Sequence, residues 1–473
     1  MTEHYLAVDI GASSGRVLAG EVQNGKITIQ ELHRFENRLI QKDKQLCWDI
    51  EHLFNEIKQG IHKSKQAGMS PASIGIDTWA VDFVLLDEND ELLTDAVAYR
   101  DRRTDGMMEE VFQLIGKKEL YERTGIQFQK FNTIFQLYSL KKNHPELLKR
   151  AKTFLMIPDY LNFLLTGKKA NEYTNATTTQ LMKADEQNWD QSLLKNLGIN
   201  VEMFQEIKSP KSILGQLRPE LQEEFGFDLE VILPATHDTG SAVAAVPEEE
   251  DTIYISSGTW SLIGVENQFP ITKQNSYVSN FTNEGGVEGT YRFLKNIMGL
   301  WMIQEVRRNY QKKYSFSELV QMAKEASHFT SIVNVNDDRY LLPHHMIEEI
   351  RNECRETKQA IPITPGEVAR TVFMSLAESY KQAVEEIEAI TGRRFSKINV
   401  IGGGSQNEYL NQLIANVTQK EVYAGPIEAT AIGNLSLQLM ALKKVNNLLE
   451  ARQMIRRSFA IQTYISMEGR DMK

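Results

Sequence analysis

Val8-Asp9-Ile10-Gly11-Ala12-Ser13-Ser14-Gly15-Arg16-Val17 takes an apolar run that begins at Tyr5 into an acid. A small hydroxyl-rich turn follows, and then a second apolar run. The pattern predicts a β-hairpin whose turn can wrap a polyanion. Gly11 and Gly15 are expected to adopt backbone angles closed to other residues and to let the main chain approach a ligand. Ser13 and Ser14 supply hydroxyls, and the amides of the turn can point at phosphate oxygens. Arg16 adds a fixed charge on a planar fork of donors. Asp9 is the candidate magnesium anchor, because hard oxygen ligands suit that ion. The same ten residues also fit an ordinary Gly-Ser hairpin, and on this stretch alone the two readings stand level.

The chain opens a second time in the same way. Thr252-Ile253-Tyr254-Ile255-Ser256-Ser257-Gly258-Thr259-Trp260-Ser261-Leu262-Ile263-Gly264-Val265 is again strand, small hydroxyl-rich turn, strand. Two lobes of similar design are expected, each offering a turn to one ligand. A length of 473 residues exceeds what one core usually supports. Pro247 and the acidic run Glu248-Glu249-Glu250-Asp251 mark the boundary, giving domains 1–246 and 247–473.

Between the hairpins, Ser73 to Asp87 reads as a buried strand passing through a polar, tryptophan-bearing loop into another strand. Residues 105–230 are mostly helical in pattern. Leu229 to Leu233 is a short strand that ends in Pro234-Ala235-Thr236-His237-Asp238-Thr239-Gly240-Ser241-Ala242. The small residues after Gly240 predict a helix packed closely on its sheet. Further on, Thr364-Pro365-Gly366-Glu367 predicts a helix start with a capping box and proline at the first helical position. Gly392 is the stop. Ile398 to Ile401 then breaks into Gly402-Gly403-Gly404 and a helix. Ligands of α/β proteins sit beyond the carboxyl ends of such strands. One glycine would satisfy a tight turn; three in a row favour a flat base lying against bare backbone.

Composition sets the outer bounds. With 41% hydrophobic and 25% charged residues the chain reads as an ordinary soluble protein. A net charge of −10 argues against a nucleic-acid surface. Two cysteines, Cys47 and Cys354, make neither a disulfide framework nor a thiolate zinc site. Neither a secretion-signal pattern nor a run of about 18 apolar residues is read. A cytoplasmic protein without membrane partners is expected, as a monomer or weak homo-oligomer.

Several chemistries are excluded by motif. There is no Walker-type phosphate loop, no protein-kinase motif set and no spaced dinucleotide fingerprint. No H-E-x-x-H occurs. What remains is two hydroxyl-rich hairpins, a triple-glycine turn, and Asp9, Asp77, Asp82 and Asp238 at strand ends. Phosphoryl transfer needs charge neutralisation around the transferred group and a base for the attacking hydroxyl. Asp238 is the candidate base. A helix N-cap is its alternative role, and Asp77 and Asp82 could equally be structural acids.

The set Asp9 to Arg16, Thr236 to Ser241, Ser256 to Ser261 and Gly402 to Asn407 resembles the FGGY carbohydrate kinases, over roughly residues 4 to 445. The resemblance implies an α/β, two-lobed actin-like, ribonuclease-H-like ATPase fold with an interdomain active-site cleft. It also implies ATP and Mg2+ as cofactors. Three stretches, Asp77 to Asp87, Tyr99 to Thr104 and Phe293 to Trp301, imply L-rhamnulose as the sugar, phosphorylated at its C1 hydroxyl. By the same resemblance Asp238 is the base, and Ala80, His237, Thr239 and Asn296 touch the sugar. Ala12, Ser13, Ser14, Gly15 and Arg16 hold the β- and γ-phosphates. Thr259 belongs to the second phosphate turn, Gln304 lies on the nucleotide side, and Gly403 lies under the adenosine. Ala80 departs from the pattern, since a glycine is usual there. The rivals are a kinase of fuculose, xylulose, gluconate or glycerol, and a non-kinase actin-like ATPase.

Overall fold

The computed structural model describes residues 3–247 and 251–467. Glu248, Glu249 and Glu250 of the expected boundary lie outside the described residues. The chain forms two compact units. Unit 1 comprises Met1–Glu249, Glu266–Phe293 and Ala429–Ser458, and unit 2 comprises Glu250–Val265, Leu294–Glu428 and Phe459–Lys473. Two later segments, Glu266–Phe293 and Ala429–Ser458, return to unit 1. Among the described residues no helix is long and apolar enough to cross a membrane.

Unit 1 is built on β1 (His4–Ile10), β2 (Ser14–Gln23), β3 (Lys26–Glu36), β4 (Pro71–Thr78), β5 (Ser212–Gln216) and β6 (Glu230–Leu233). The sheet order is β5-β6-β4-β1-β2-β3. β1 runs parallel to β4, and β4 parallel to β6, whereas β2 is antiparallel to β1 and β5 to β6. Alternation sends successive side chains to opposite faces of the sheet. Ile74 and Ile76 of β4 join one core with Leu53, Ile57 and Ile61 of α1 (Ile50–Gln66). Asp49 caps α1, accepting from His52 N at 3.1 Å. Gly75 and Asp77 face the other way, toward a buried helix that arrives from the far end of the chain.

Two short helices of unit 1 matter to the site: α2 (Tyr173–Thr177) and α3 (Asp238–Ala244), the latter rising directly from the end of β6.

Unit 2 repeats the topology. Its strands are β7 (Ile253–Ser257), β8 (Trp260–Asn267), whose last two residues belong to unit 1, then, after a short strand β9 (Thr282–Gly285) in unit 1, β10 (Tyr291–Met298), whose first three residues belong to unit 1, β11 (Lys397–Ile401), β12 (Glu421–Ala424) and β13 (Gln462–Tyr464). In the seven-stranded order β9-β10-β8-β7-β11-β12-β13, the last six strands match β3-β2-β1-β4-β6-β5 one for one. The first hairpin is again antiparallel, the next two pairings are parallel, and the last is antiparallel. The echo read between the two hydroxyl-rich turns is thus the opening of two copies of one sheet.

Three helices complete the elements used below: α4 (Trp301–Asn309), α5 (Pro365–Thr391) and α6 (Ala429–Ala441). α5 begins where the capping box placed it. Thr364 Oγ1 accepts from Glu367 N at 3.2 Å and Glu367 Oε2 accepts from Thr364 N at 2.9 Å. Gly392 ends it at φ 70°.

Candidate active site

Asp9 and Asp77 are register partners on parallel strands, each one residue short of its strand's carboxyl end. The segment after β6 joins them there: Thr78 N donates to Thr236 O at 2.9 Å, and Thr78 bridges to His237. Three parallel strand ends of unit 1 therefore gather Asp9, Asp77 and the His237-Asp238 pair, as expected for ligand sites of α/β sheets.

The first turn folds as a hairpin closed by Gly11 N donating to Ser14 O at 2.9 Å. Ser13 and Ser14 are exposed and Ala12 is half-buried. The expected reason for the glycines is corrected. Neither Gly11 nor Gly15 has a left-handed φ. Gly15 is required by packing, because a Cβ there would overlap the Phe35 ring. Asn37, which the motif reading missed, braces the turn: its Nδ2 donates to Gly11 O at 2.9 Å and its N to Ser13 O at 3.2 Å. Arg16 lies directly across the hairpin from Asp9 and donates to Asp9 Oδ2 through Nε (3.0 Å) and Nη2 (2.8 Å). The two residues read as phosphate ligand and metal anchor are therefore partners of each other.

Asp77 is fully buried. One carboxylate oxygen accepts from Asn434 Nδ2 of α6 at 2.6 Å, and the other has no hydrogen-bond partner among the described residues. Burial, reinforced by the Asp9 charge, pushes its carboxyl well above the usual range. Gln438, one turn along α6, donates to Leu6 O at 2.8 Å and accepts from Ser73 Oγ at 2.6 Å. An unpartnered buried carboxylate oxygen beside Asp9 fits a hard divalent cation. Magnesium commonly takes only one or two protein carboxylates and completes its shell with phosphates and water. Among the described residues no group of three or more His, Cys, Asp or Glu forms a self-sufficient metal cage.

Asp238 does not cap its helix. His237 occupies the N-cap and Asp238 is the first helical residue. Asp238 Oδ1 accepts from Thr239 N at 2.5 Å and Thr239 Oγ1 at 3.1 Å, and His237 Nε2 stands 3.5 Å from it. No hydrogen bond to Oδ2 is formed among the described residues, and the side chain retains 30% exposure. Loss of water around it pushes its carboxyl up; His237 opposes that shift and Asp9 adds to it. The arrangement is that of a carboxylate with one oxygen held and one offered.

The strand end carrying Asp238 hangs on a buried acid. Glu172 Oε2 accepts from Thr236 N (3.0 Å) and Thr236 Oγ1 (2.8 Å), and its Oε1 accepts from Thr174 N at 2.9 Å, capping α2. Asp159 lies behind it, accepting from Glu172 N at 3.2 Å and from Asn171 Nδ2 at 3.0 Å. Burial, with Glu172 adding, pushes the Asp159 carboxyl well up. An acid with a raised folded-state pKa binds its proton more tightly folded than unfolded. Its contribution is full below the unfolded value, about 3.9, and is lost as pH rises through the window up to the folded value. Asp159→Asn removes this term, and Asn171 can turn its unpartnered Oδ1 toward the new amide. We expect the variant to show a flatter fall of Tm between pH 5 and 8 than the parent. An unchanged slope in a thermal-shift series would contradict the assignment.

The tryptophan loop contains a strained turn. Asp82 N donates to Ala80 O at 2.9 Å across Val81, which has φ 66°. This is the rare γ-turn with a left-handed central residue, here β-branched and buried. The turn is pinned from both sides. Val81 O accepts from Thr133 Oγ1 at 2.6 Å, and the fully buried Asp82 accepts from Trp48 Nε1 (2.6 Å), Trp79 Nε1 (2.9 Å), Tyr99 N (3.0 Å) and Gln136 Nε2 (3.1 Å). Asp82 is thus the anchor of the Ala80 loop. Strain held by so many contacts is characteristic of functional sites.

The remaining candidates lie in unit 2. Thr259 sits in the β7–β8 turn, closed by Gly258 N to Trp260 O at 2.9 Å. Leu300 N and Trp301 N donate to Gly258 O (2.9 Å) and Thr259 O (3.2 Å), which ties the start of α4, carrying Gln304, to that turn. Gly299 permits the contact, since a Cβ there would lie 2.7 Å from the carbonyl oxygens of Gly258 and Thr259. Asn296 lies on β10. Each glycine of the triple turn has its own reason. Gly402 has φ 82°, a Cβ on Gly404 would overlap the Ser257 side chain, and Gly403 faces open space.

Two copies of one hairpin-opened α/β sheet, with carboxylates at parallel strand ends, define the duplicated actin-like ATPase class. The match extends to sequence. The model of the FGGY family of carbohydrate kinases, N-terminal domain, matches residues 4–245 and the C-terminal domain model residues 253–442. The chain belongs to the FGGY family of carbohydrate kinases and is an ATP-dependent carbohydrate kinase. It is 63% identical to the rhamnulokinase of Halalkalibacterium halodurans, over 98% of this chain and 99% of that one. It is 61% identical to the rhamnulokinase of Oceanobacillus iheyensis, over 99% and 100%. Among solved structures, the gluconate kinase of Lactobacillus acidophilus superposes with a TM-score of 0.83 at 19% identity, covering 98% of this chain and 94% of that one.

Proposed function

We propose that this kinase transfers the γ-phosphoryl group of ATP to the C1 hydroxyl of L-rhamnulose. The observation that carries the catalytic assignment is Asp238, whose Oδ1 is engaged by Thr239 while Oδ2 makes no hydrogen bond among the described residues. The sugar assignment is supported by the rhamnulokinases to which the chain is 63% and 61% identical. Asp238 Oδ2 accepts the hydroxyl proton as the oxygen attacks phosphorus, and the raised affinity of this carboxyl for protons suits it to that task. His237, Thr239 and Asn296 bind the sugar, together with the backbone at Ala80, which the γ-turn fixes.

Ala12 to Arg16 and Thr259 hold the phosphates, Gln304 contacts the nucleotide, and the bare surface of Gly403 lies under the adenosine. Asp9, with Asp77 behind it, would hold magnesium, which would supply charge neutralisation at the phosphates. Arg16 holds Asp9 Oδ2 with two donors, which fixes the direction of that carboxylate. In domain terms, sugar contacts belong mainly to the first family domain and nucleotide contacts to the second.

A coupled ADP-release assay across L-rhamnulose, L-fuculose, D-xylulose, D-gluconate and glycerol tests the sugar. We expect kcat/KM for L-rhamnulose to exceed that for every other member by at least about tenfold. Discrimination against L-fuculose is expected to be the smallest, since a pocket separates near-isosteric substrates by only a few kcal/mol at most. A higher kcat/KM for any other member would overturn the assignment.

A further inference from the structure

His237 does not stand alone beside Asp238. Its ring is sandwiched within unit 1 by two residues to which the motif reading gave no role. Arg292 Nη2 lies 3.1 Å from His237 Nδ1 and 3.2 Å from Glu284 Oε2, and Glu284 Oε2 lies 3.2 Å from the same Nδ1. The Arg292 side chain is 1% exposed, and those of Glu284 and His237 are 7% exposed. Their placement is built in. Gly285 lies against the Tyr173 ring and its N donates to Thr177 Oγ1 at 2.9 Å. Arg292 Nε donates to Gly285 O at 2.8 Å, and the Phe281 and Phe293 rings stack at 4.6 Å.

We propose that Glu284 and Arg292 are positioning residues for Asp238. Their buried ion pair fixes the His237 imidazole in the Nε2–H tautomer, so that its proton points at Asp238 Oδ1 and Oδ2 is reserved for the sugar hydroxyl. The inference rests on the reading of Asp238 as the base. Two groups reach Nδ1, but Arg292 Nη2, which can only donate, meets it in hydrogen-bonding geometry at 3.1 Å, whereas Glu284 Oε2 at 3.2 Å makes no well-formed hydrogen bond among the described residues; Nδ1 is therefore read as the acceptor and the ring proton is placed on Nε2. Nε2 then faces Asp238 Oδ1, on which the two Thr239 donors already converge. Glu284 balances the guanidinium charge, so neither ion acts alone on the ring. Burial opposes ionisation of Glu284, but the Arg292 guanidinium beside it holds its carboxyl below the usual range, so the pair stays charged.

The pair is not an optimised stabilising device. Glu284 Oε2 and Arg292 Nη1 are both buried without a well-formed hydrogen bond, and a buried ion pair is in general weak evidence for stability. The charged groups facing the His237-Asp238 unit among the described residues include Asp238 itself on α3, Glu284 on β9, Arg292 on β10, and Asp9 and Asp77 on β1 and β4, with Arg16 on Asp9.

The test uses the full chain labelled with 15N-histidine, with the His237 signal assigned by its loss in His237→Gln. In the parent the ring nitrogens should report the Nε2–H tautomer at neutral pH. Arg292→Gln leaves a buried carboxylate unpaired and can fail to fold, so the decisive variant is Glu284→Gln with Arg292→Met, which removes both charges. It should fold, give a mixed or Nδ1–H tautomer, and lose at least about tenfold in kcat with KM for ATP unchanged, the size typical of an orienting partner. Arg292→Lys, which keeps a donor and the charge, should restore part of both signals. A folded double variant with the parental tautomer overturns the inference. So does an altered tautomer with unaltered kcat while Asp238→Asn is inactive. An active Asp238→Asn overturns the base assignment instead, and the imidazole signal still reports on the ion pair.

Discussion

Asp238→Asn lowers sugar-dependent ADP release by about 10²–10⁴-fold, the range in which a positioned general base contributes, while ATP affinity stays close to that of the parent. The amide keeps the shape of the side chain, and its oxygen can still accept from Thr239 N and Thr239 Oγ1. What it loses is the lone pair of Oδ2 toward the substrate, replaced by a donor that cannot take a proton. Because α3 begins at this residue and its cap is His237, the substitution removes no helix cap. A fall in kcat without a fall in Tm is therefore the expected signature. Turnover within a few-fold of the parent would remove Asp238 from the chemistry, and a matching loss of Tm would assign it a structural role.

Gly433→Ala carries the largest expected loss of stability. The position lies on α6, and a Cβ there would fall inside the Ser241 carbonyl of α3, 2.7 Å from the carbon and 3.4 Å from Ala245 N. Both obstacles are backbone, so relief requires the two helices to separate. Overpacking of this kind costs about 1–3 kcal/mol, occasionally more, and the gain in helix propensity from glycine to alanine, at most about 1 kcal/mol, does not offset it. We expect a loss of about 3 kcal/mol and a Tm lower by roughly 3–5 °C. kcat should fall as well, because the displaced helix begins with Asp238 and α6 also carries Asn434, which holds Asp77. Gly116→Ala is the control: its Cβ would meet nothing within 4 Å, and Tm should barely move. A parental Tm for Gly433→Ala would contradict the close helix packing.

What the sequence made legible was local or repeated. Both hydroxyl-rich hairpins, the cap and stop of α5, the strand pair around the tryptophan loop and the strand leading to Asp238 each carry their signal within a dozen residues. The structure returns them where the pattern put them. Gly15 of the first turn is constrained by a ring on β3 rather than by a backbone angle. Residues that act across large separations left no such trace. Asn434 reaches Asp77 and Gln438 reaches Ser73 from more than 350 positions away, and a polar pair on an otherwise apolar helix has no periodicity that names its partner.

The same holds for Asn37 beneath the first turn, Trp48 on Asp82, and Glu284 with Arg292 around His237. The discontinuous make-up of unit 1 was hidden for the same reason. An acidic run advertises a boundary, whereas the return of Glu266–Phe293 and Ala429–Ser458 is decided by which buried faces fit.

The most direct test is a crystal structure with L-rhamnulose and a non-hydrolysable ATP analogue. The account predicts Asp238 Oδ2 at hydrogen-bond distance, about 2.6–3.2 Å, from the C1 hydroxyl, with that hydroxyl in line with the γ-phosphorus and Oδ1 still held by Thr239. A carboxylate turned from every sugar hydroxyl, or a different hydroxyl facing the phosphate, would contradict it.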